Sequence, residues 1–264
     1  MAHTMFNDEV KYHVKLRQGD VGRYVLLPGD PGRCEIIARQ FENPVKVAQN
    51  REYVTYTGTL LGEKVSVTST GIGGPSTAIA VEELAMVGAD TFIRVGTSGA
   101  MQPEMAVGDL AIVTAAIRDE GTTRQYMPIE FPAVANVDVT MALRSAAARL
   151  HFTAHLGISQ SKDSFYGEVE PDRLPLADEL KARRRAWMAG GAICSEMEAA
   201  AVFVVASILH KRSGGVMLIV NSEFTDAGNT QPESIVGRLV LTGVEAIKVL
   251  IEQDQAIRQE KNVV

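Results

Sequence analysis

The sequence predicts an α/β protein: a single-domain α/β/α sandwich over residues 1–264, with a central mixed, mostly parallel sheet. Three observations predict it. Short apolar runs alternate with helical patterns along the chain, the order that βαβ units produce. No low-complexity linker or solenoid-length repeat interrupts that alternation. Two Gly-rich turns each follow an apolar run and each carry an arginine, as turns at strand ends of such a sheet do when they meet a ligand.

Taken in order, 25–27 reads as a strand and 31–40 as a helix. The segment 51–59 alternates polar and apolar residues like a hairpin strand, and 64–69 reads as the next strand. A helix follows at 75–87, then strands at 91–95 and 109–115. A helix at 139–150 and a strand at 154–159 come next. The acidic stretch 165–180, with two prolines, reads as a loop or flap. A helix at 196–210, a strand at 216–220 and a helix at 232–252 complete the pattern. Pro31 and Pro75 stand near predicted helix starts, where a missing N–H costs little.

Composition bounds the function. A length of 264 residues suits one α/β domain. Hydrophobic content of 46% and charged content of 22% are normal for a soluble globule with a sizeable core. A net charge of −6 argues against a general nucleic-acid surface but leaves room for a local cationic pocket. Cys34 and Cys194 lack CxxC spacing and form no disulfide framework, which fits a reducing cytoplasm. Met1 to Phe6 lack the basic-then-apolar order of a signal peptide. Apolar stretches such as 199–209 are too short to span a bilayer, so no membrane partner is expected.

The two arginine turns carry the strongest chemical signal. The first runs Leu27-Pro28-Gly29-Asp30-Pro31-Gly32-Arg33, the second Arg94-Val95-Gly96-Thr97-Ser98-Gly99. Glycine lets backbone approach a ligand, and the guanidinium fork suits phosphate. Arg94 lies inside an apolar strand, where a buried guanidinium needs an anionic partner. Thr97 can add a hydroxyl donor. Together they predict a small anion gripped from two sides.

Other segments are weaker signals. Ser69 to Ser76 lacks the Gly-Lys-Ser/Thr of a P-loop and the last glycine of a dinucleotide fingerprint, so it reads as a tight strand-to-helix connection. Gly96-Thr97-Ser98-Gly99 is out of register for a nucleophile elbow. Ser195 reads as a helix N-cap with Glu198 as its capping-box partner. The same first-turn glutamates also lie at the mouth of the sheet, where a carboxylate can accept from two ribose hydroxyls. Met197 offers the sugar a soft apolar surface. His151 and His155 lack the glutamate of a zinc motif. Arg183, Arg184, Arg185 and Trp187 look like a solvated helix face, and the two cysteines like small buried residues.

These segments in order resemble the nucleoside phosphorylase-I family, and within it the uridine-cleaving branch. The matching stretches are Leu27-Pro28-Gly29-Asp30-Pro31, Arg51-Glu52-Tyr53, Ser69 to Ser76, Arg94 to Ala100, Glu130-Phe131-Pro132-Ala133, Asp163-Ser164-Phe165-Tyr166 and Glu196-Met197-Glu198. The resemblance implies a pentosyltransferase of pyrimidine salvage. It would convert uridine, with deoxyuridine and thymidine as further candidates, plus inorganic phosphate to free base and ribose 1-phosphate. No cofactor is implied beyond phosphate as co-substrate. By analogy Gly29, Arg33, Arg94 and Thr97 bind phosphate, and Arg51 reaches the phosphate of a neighbouring subunit. His13 touches the ribose 5′-hydroxyl across the same interface. Glu196, Met197 and Glu198 hold the ribose, and Arg94 and Glu198 are the expected catalytic pair. Phe165 stacks on the base, which Glu168, Arg173 and Asn221 line. Shared sites imply a homodimer, assembled in threes into a hexamer. Glu52, Ile72 and Ser76 match a monovalent-cation site, for K⁺ or Na⁺, at the dimer interface of some relatives.

The family pattern breaks at the base. Uridine-cleaving members follow Phe-Tyr with a glutamine and then an arginine; here the run is Phe165-Tyr166-Gly167-Glu168-Val169-Glu170-Pro171-Asp172-Arg173. An ionised glutamate accepts but cannot donate. Uracil N3–H could give its proton to Glu168, leaving the carbonyl oxygens to Arg173 or water. A carboxylate also suits guanine. The segment 220–224 lacks the arginine common after Val-Asn in uridine enzymes, and the aspartate of purine enzymes unless Glu223 serves as the catalytic acid. A purine or broad-range phosphorylase is therefore the alternative. A nucleosidase is disfavoured because water needs no arginine cradle, and a non-catalytic binding module because ribose and phosphate elements are both present.

Overall fold

The computed structural model describes residues 9–224 and 232–262. The stretch read for a leader, Met1 to Phe6, lies outside the described residues. In chain order the elements are β1 (Tyr24–Leu27), α1 (Gly32–Ala38), β2 (Glu42–Asn50), β3 (Tyr53–Leu60), β4 (Glu63–Thr68), α2 (Gly74–Met86), β5 (Thr91–Ala100) and β6 (Leu110–Asp119). There follow α3 (Thr122–Tyr126), β7 (Ala133–Val134), α4 (Val137–Arg149), β8 (Ala154–Lys162), α5 (Phe165–Val169), a 3-10 turn (Pro171–Arg173), α6 (Ala177–Ala189), β9 (Ala192–Glu196), α7 (Ala199–Ile208), β10 (Arg212–Asn221) and α8 (Pro232–Asn262).

The expected mixed sheet is present, in the order β10-β6-β8-β9-β5-β1-β4-β3-β2. Strand β10 also pairs with β5, so β5, β10, β6, β8 and β9 close on themselves. Pairing is parallel for β1 with β4 and β5, for β5 with β10, and for β8 with β6 and β9. The β2–β3–β4 meander and the contacts β6–β10, β5–β9 and β6–β7 are antiparallel.

Alternation along the strands builds the layers. Side chains at successive strand positions face opposite sides of a sheet. Val25, Leu27, Phe92, Val113, Met217 and Ile219 pack with α2 and α7 in one core. Their neighbours Tyr24, Leu26, Ile93, Ile112, Val216 and Leu218 pack with α1, α4 and α8 in the other. Both faces of these strands are thus covered, which is why they read as continuous apolar runs. Helix α7 is buried from Ala199 to Ala206 and has no polar face to show. Helix α4 sits so close to β10 that a Cβ on Gly214 would lie 2.4 Å from Val139 Cγ1.

The structure corrects several boundaries. The segment 165–180 is not a loop: it holds α5, the 3-10 turn opened by Pro171, and the start of α6. The helix read from 196 begins at Ala199, because Ala192–Glu196 is strand β9. Strands β5, β8 and β10 each run beyond their predicted ends, β8 as far as Lys162.

Candidate active site

The carboxyl ends of β1, β5, β8, β9 and β10 converge on one cavity of about 770 Å³. They meet because β9 pairs with β5 at its last residues alone, Gly99 opposite Ser195 and Ala100 opposite Cys194. The carboxyl-terminal parts of these strands and the turns that follow them therefore line the cavity. Its volume suits a small-molecule ligand.

One end is an anion cradle. Gly29, Asp30 and Pro31 come from the turn after β1, Arg33 from the start of α1, Gly71 and Ile72 from the turn after β4, and Arg94, Thr97, Ser98 and Gly99 from β5. The two turns are tied together: the Thr70 N–H donates to the Pro28 carbonyl at 2.9 Å and the Gly71 N–H to the Gly29 carbonyl at 3.0 Å. Gly71 has φ +69°, and a Cβ there would meet Glu52 Cγ at 2.8 Å. A Cβ on Gly29 would sit 3.5 Å from Arg94 Nη1, so bare backbone and guanidinium flank the same space.

Arg94 is 4% exposed. Its Nη2 donates to Glu198 Oε2 at 2.5 Å and its Nη1 to the Leu27 carbonyl at 3.3 Å. Arg94 Nε and Ser98 Oγ are buried with no hydrogen-bond partner among the described residues. Buried donors of this kind call for a ligand or water. Arg33 is partly exposed, with Nε 4.0 Å from Asp30 Oδ2.

The middle of the cavity holds Glu196, Met197 and Glu198. Glu198 Oε1 accepts the Gly73 N–H at 2.7 Å, which locks the Ser69–Ser76 turn against Arg94. Glu196 Oε2 accepts the N–H groups of Glu198 and Ala199 at 2.7 and 2.8 Å, and Oε1 accepts the Ser161 hydroxyl. Burial, then the nearby Glu198 charge, pushes the Glu196 carboxyl above the usual carboxylate range. Glu196 caps the entry to α7, so the capping box read on Ser195 and Glu198 is not what forms. Ser195 ends in β9, with its hydroxyl among Lys162, Gln160 and Glu168.

The far end is lined by Phe165, Val169 and Val220 together with Lys162, Glu168, Ser195 and Asn221. Glu168 Oε2 lies 2.5 Å from Lys162 Nζ and accepts the Ser195 hydroxyl at 2.5 Å. Its Oε1 accepts from Arg184 Nη1 at 2.7 Å. Burial alone would raise this carboxyl, but the Lys162 ammonium, the Ser195 hydroxyl and Arg184 together hold it below the usual range.

Several expected residues stand outside the cavity. Arg173 is exposed, pairs with Glu170 at 2.9 Å and lies over the Tyr166 ring, because the 3-10 turn carries it away from this end of the cavity. Glu223 is 55% exposed and pairs with Arg184 at 2.9 Å, which draws its carboxylate away from a catalytic position. Arg184 is therefore not part of a merely solvated face, and Arg183 likewise pairs with Asp119. His13 Nδ1 is 2.6 Å from Glu83 Oε1, and Arg51 is exposed in a left-handed conformation (φ 52°). Neither lines the cavity of its own chain. Glu52, by contrast, lines the cavity; Ser76 Oγ donates to its Oε1 at 2.6 Å, and this hydrogen bond holds the Glu52 carboxyl low. Lys162 and Ser195 are among the lining residues to which sequence reasoning gave no binding role. The signal used for Arg94, a cation inside an apolar run, was absent for Lys162, which ends the polar run Ser159-Gln160-Ser161-Lys162.

An arginine-lined cradle, a carboxylate pair and an apolar slot in succession, at the strand ends of this α/β fold, define the phosphorylase class. The chain belongs to the phosphorylase superfamily, whose family model matches residues 23–250. It is 48% identical over 252 residues to a uridine phosphorylase of Treponema pallidum (strain Nichols), covering 95% of this chain and 98% of that one. It is 38% identical to the uridine phosphorylase of Escherichia coli (strain K12), covering 91% and 95%. A guanosine phosphorylase of Halorubrum lacusprofundi is 37% identical, covering 84% and 90%.

Proposed function

We infer that this chain is a uridine phosphorylase, a pentosyltransferase that interconverts uridine plus phosphate with uracil plus ribose 1-phosphate. The observation that carries the reading is the buried Arg94–Glu198 pair standing between the anion cradle and the base slot, in a chain 48% identical to a uridine phosphorylase. Gly29, Arg33, Arg94 and Thr97 hold phosphate. Glu198, with Met197 beside it, holds the ribose hydroxyls. Breaking the N-glycosidic bond builds oxocarbenium character at the sugar, and the phosphate held beneath it supplies both compensating charge and nucleophile. Positioning and electrostatics carry most of the rate enhancement. Glu196, whose oxygens are occupied by backbone and serine donors, positions Glu198 rather than binding ribose directly.

The position of His13 and Arg51, outside their own cavity, supports sites completed by a second subunit. The working unit is then a homodimer, with a hexamer of three dimers as the larger assembly. Glu52 and Ser76 share a hydrogen bond and offer hard oxygen ligands, a set that fits K⁺ or Na⁺ together with the Ile72 segment across a dimer axis. No helix of the described residues is long and apolar enough to cross a membrane. A cytoplasmic site of action accords with two buried free thiols.

Guanosine cleavage is the second reading, favoured by the guanosine phosphorylase relative. The test is product analysis by phosphorus NMR after incubation of uridine with phosphate. One equivalent of ribose 1-phosphate per uracil supports the assignment; free ribose without a phosphate ester overturns it.

A further inference from the structure

The carboxylate that stands where the family carries a glutamine is already occupied. Glu168 meets Lys162 and Ser195 through one oxygen and Arg184 through the other. A carboxylate flanked by two cations is a poor acceptor for a uracil N–H. We propose that Lys162 is the group that meets the base, donating to a carbonyl oxygen of the pyrimidine ring, and that Glu168, Ser195 and Arg184 are positioning residues that hold it there. This rests on the phosphorolysis reading above.

Placement supports it. Lys162 is the last residue of β8, its side chain is 10% exposed, and it lines the cavity. Going across the sheet, Arg94 stands on β5, Met197 and Glu198 directly follow β9, and Lys162 ends β8. Neighbouring strands lie about 4.8 Å apart, so anion, sugar and base sites follow one another over about 10 Å. That matches the order phosphate, ribose, base in the reacting complex. Phe165, three residues beyond Lys162, supplies an aromatic face at the same end.

Donor arithmetic supports it too. An ammonium has three N–H groups. Ser195 Oγ at 2.6 Å and Glu168 Oε2 at 2.5 Å take two, which leaves one for a ligand in the cavity. The remaining charged groups of this wall are engaged: Asp119 on β6 with Gln160 and Arg183, Glu196 with serine and backbone donors, and Arg184 with Glu168 and Glu223.

The chemistry needs such a donor. As the C1′–N1 bond breaks, its electron pair passes to N1 and spreads onto O2 and O4 of the uracil ring, while a phosphate oxygen forms the new bond to C1′. A buried ammonium beside one of those oxygens stabilises the developing anion far more than it could in water. The proton stays on Lys162 as a hydrogen bond, and solvent protonates the uracil anion after release.

The test is a leaving-group comparison. Wild type, Lys162→Met, Lys162→Arg and Glu168→Gln are assayed for phosphorolysis of uridine and of 5-fluorouridine, whose base is more acidic and leaves more readily. Lys162→Met is expected to lose about 10²- to 10³-fold in kcat/KM on uridine, the scale of one oxyanion donor, and no more than about tenfold on 5-fluorouridine. Lys162→Arg, which still donates, retains activity within about tenfold. Glu168→Gln shows the same selective loss in milder form. Equal losses on both substrates, or an unimpaired Lys162→Met enzyme, overturn the proposal. If Lys162→Met does not fold, an equal loss on both substrates in Glu168→Gln overturns it instead. A wild type that leaves uridine intact overturns the phosphorolysis reading, a separate outcome.

Discussion

Replacing Arg94 by Met separates the two roles of the buried pair. Arg94 Nη2 is 2.5 Å from Glu198 Oε2, and the two side chains are 5% and 4% exposed. Removing the cation leaves a buried carboxylate with the Gly73 N–H as its remaining protein donor. Breaking a buried pair from one side costs about 3–5 kcal/mol. For a domain of this size that lowers Tm by about 6–20 °C, and the chain stays folded at room temperature if its total stability lies above about 5 kcal/mol, within the usual range of about 5–15 kcal/mol. Catalysis loses the guanidinium proposed to hold phosphate, with an expected fall of about 10²- to 10³-fold in kcat/KM. The double variant Arg94→Met/Glu198→Gln removes the stranded charge while Gln keeps an acceptor for Gly73. It is expected to recover at least half of the lost Tm and none of the activity. Calorimetry and phosphate-saturation kinetics read both. An Arg94→Met enzyme within about threefold of wild type would refute the reasoning, as would a double variant that regains activity along with stability.

Three further outcomes follow from the geometry. A Cβ on Gly96 would lie 2.8 Å from Arg94 Nη2 and 2.9 Å from Cζ, so Gly96→Ala displaces the guanidinium without touching ligand; kcat/KM for phosphate should fall about 10- to 100-fold, and an unchanged value would contradict the cradle. If Arg51 serves the partner's site, mixed oligomers of inactive Arg51→Ala and Arg94→Met chains regain activity, since one site in each heterodimer has both arginines; mixtures that stay inactive place Arg51 elsewhere. The Glu168 carboxyl is held below its ordinary value in the folded state, so the unfolded chain binds more protons as pH falls. Its contribution to stability is present above the ordinary carboxylate range and lost as pH drops through the folded value. Denaturant midpoints should therefore fall more steeply from about pH 5 to about pH 3 in wild type than in Glu168→Gln; parallel curves would remove the ion-pair assignment.

The parts of this molecule legible in sequence are those where one physical demand dominates. Strands covered on both faces, such as Tyr24–Leu27 and the first half of β5 (91–95), show as apolar runs, and Arg94 was conspicuous because a guanidinium in such a run needs an anion. Strand β9 was not read, and its last residue, Glu196, was given to the following helix, because Ala-Ile-Cys-Ser-Glu is five residues long and has no period of its own. The start of helix α6 was taken into the predicted loop because its side chains bury no face against the core, while Arg183 to Trp187 already read as a helix face. The roles of Glu168, Arg184 and Glu223 depend on contacts over 16 and 39 residues of chain, which spacing along the sequence does not encode. Ser195 had the residue type of a helix cap, and Glu196 does the capping instead because the strand runs one residue further.

The most direct test of the central claim is the rate of base release from uridine, inosine and guanosine, each with and without phosphate. The account predicts uracil release that requires phosphate and exceeds purine release. Base release that ignores phosphate would contradict the roles given to Arg33 and Arg94, and preferential cleavage of guanosine would contradict the uridine assignment.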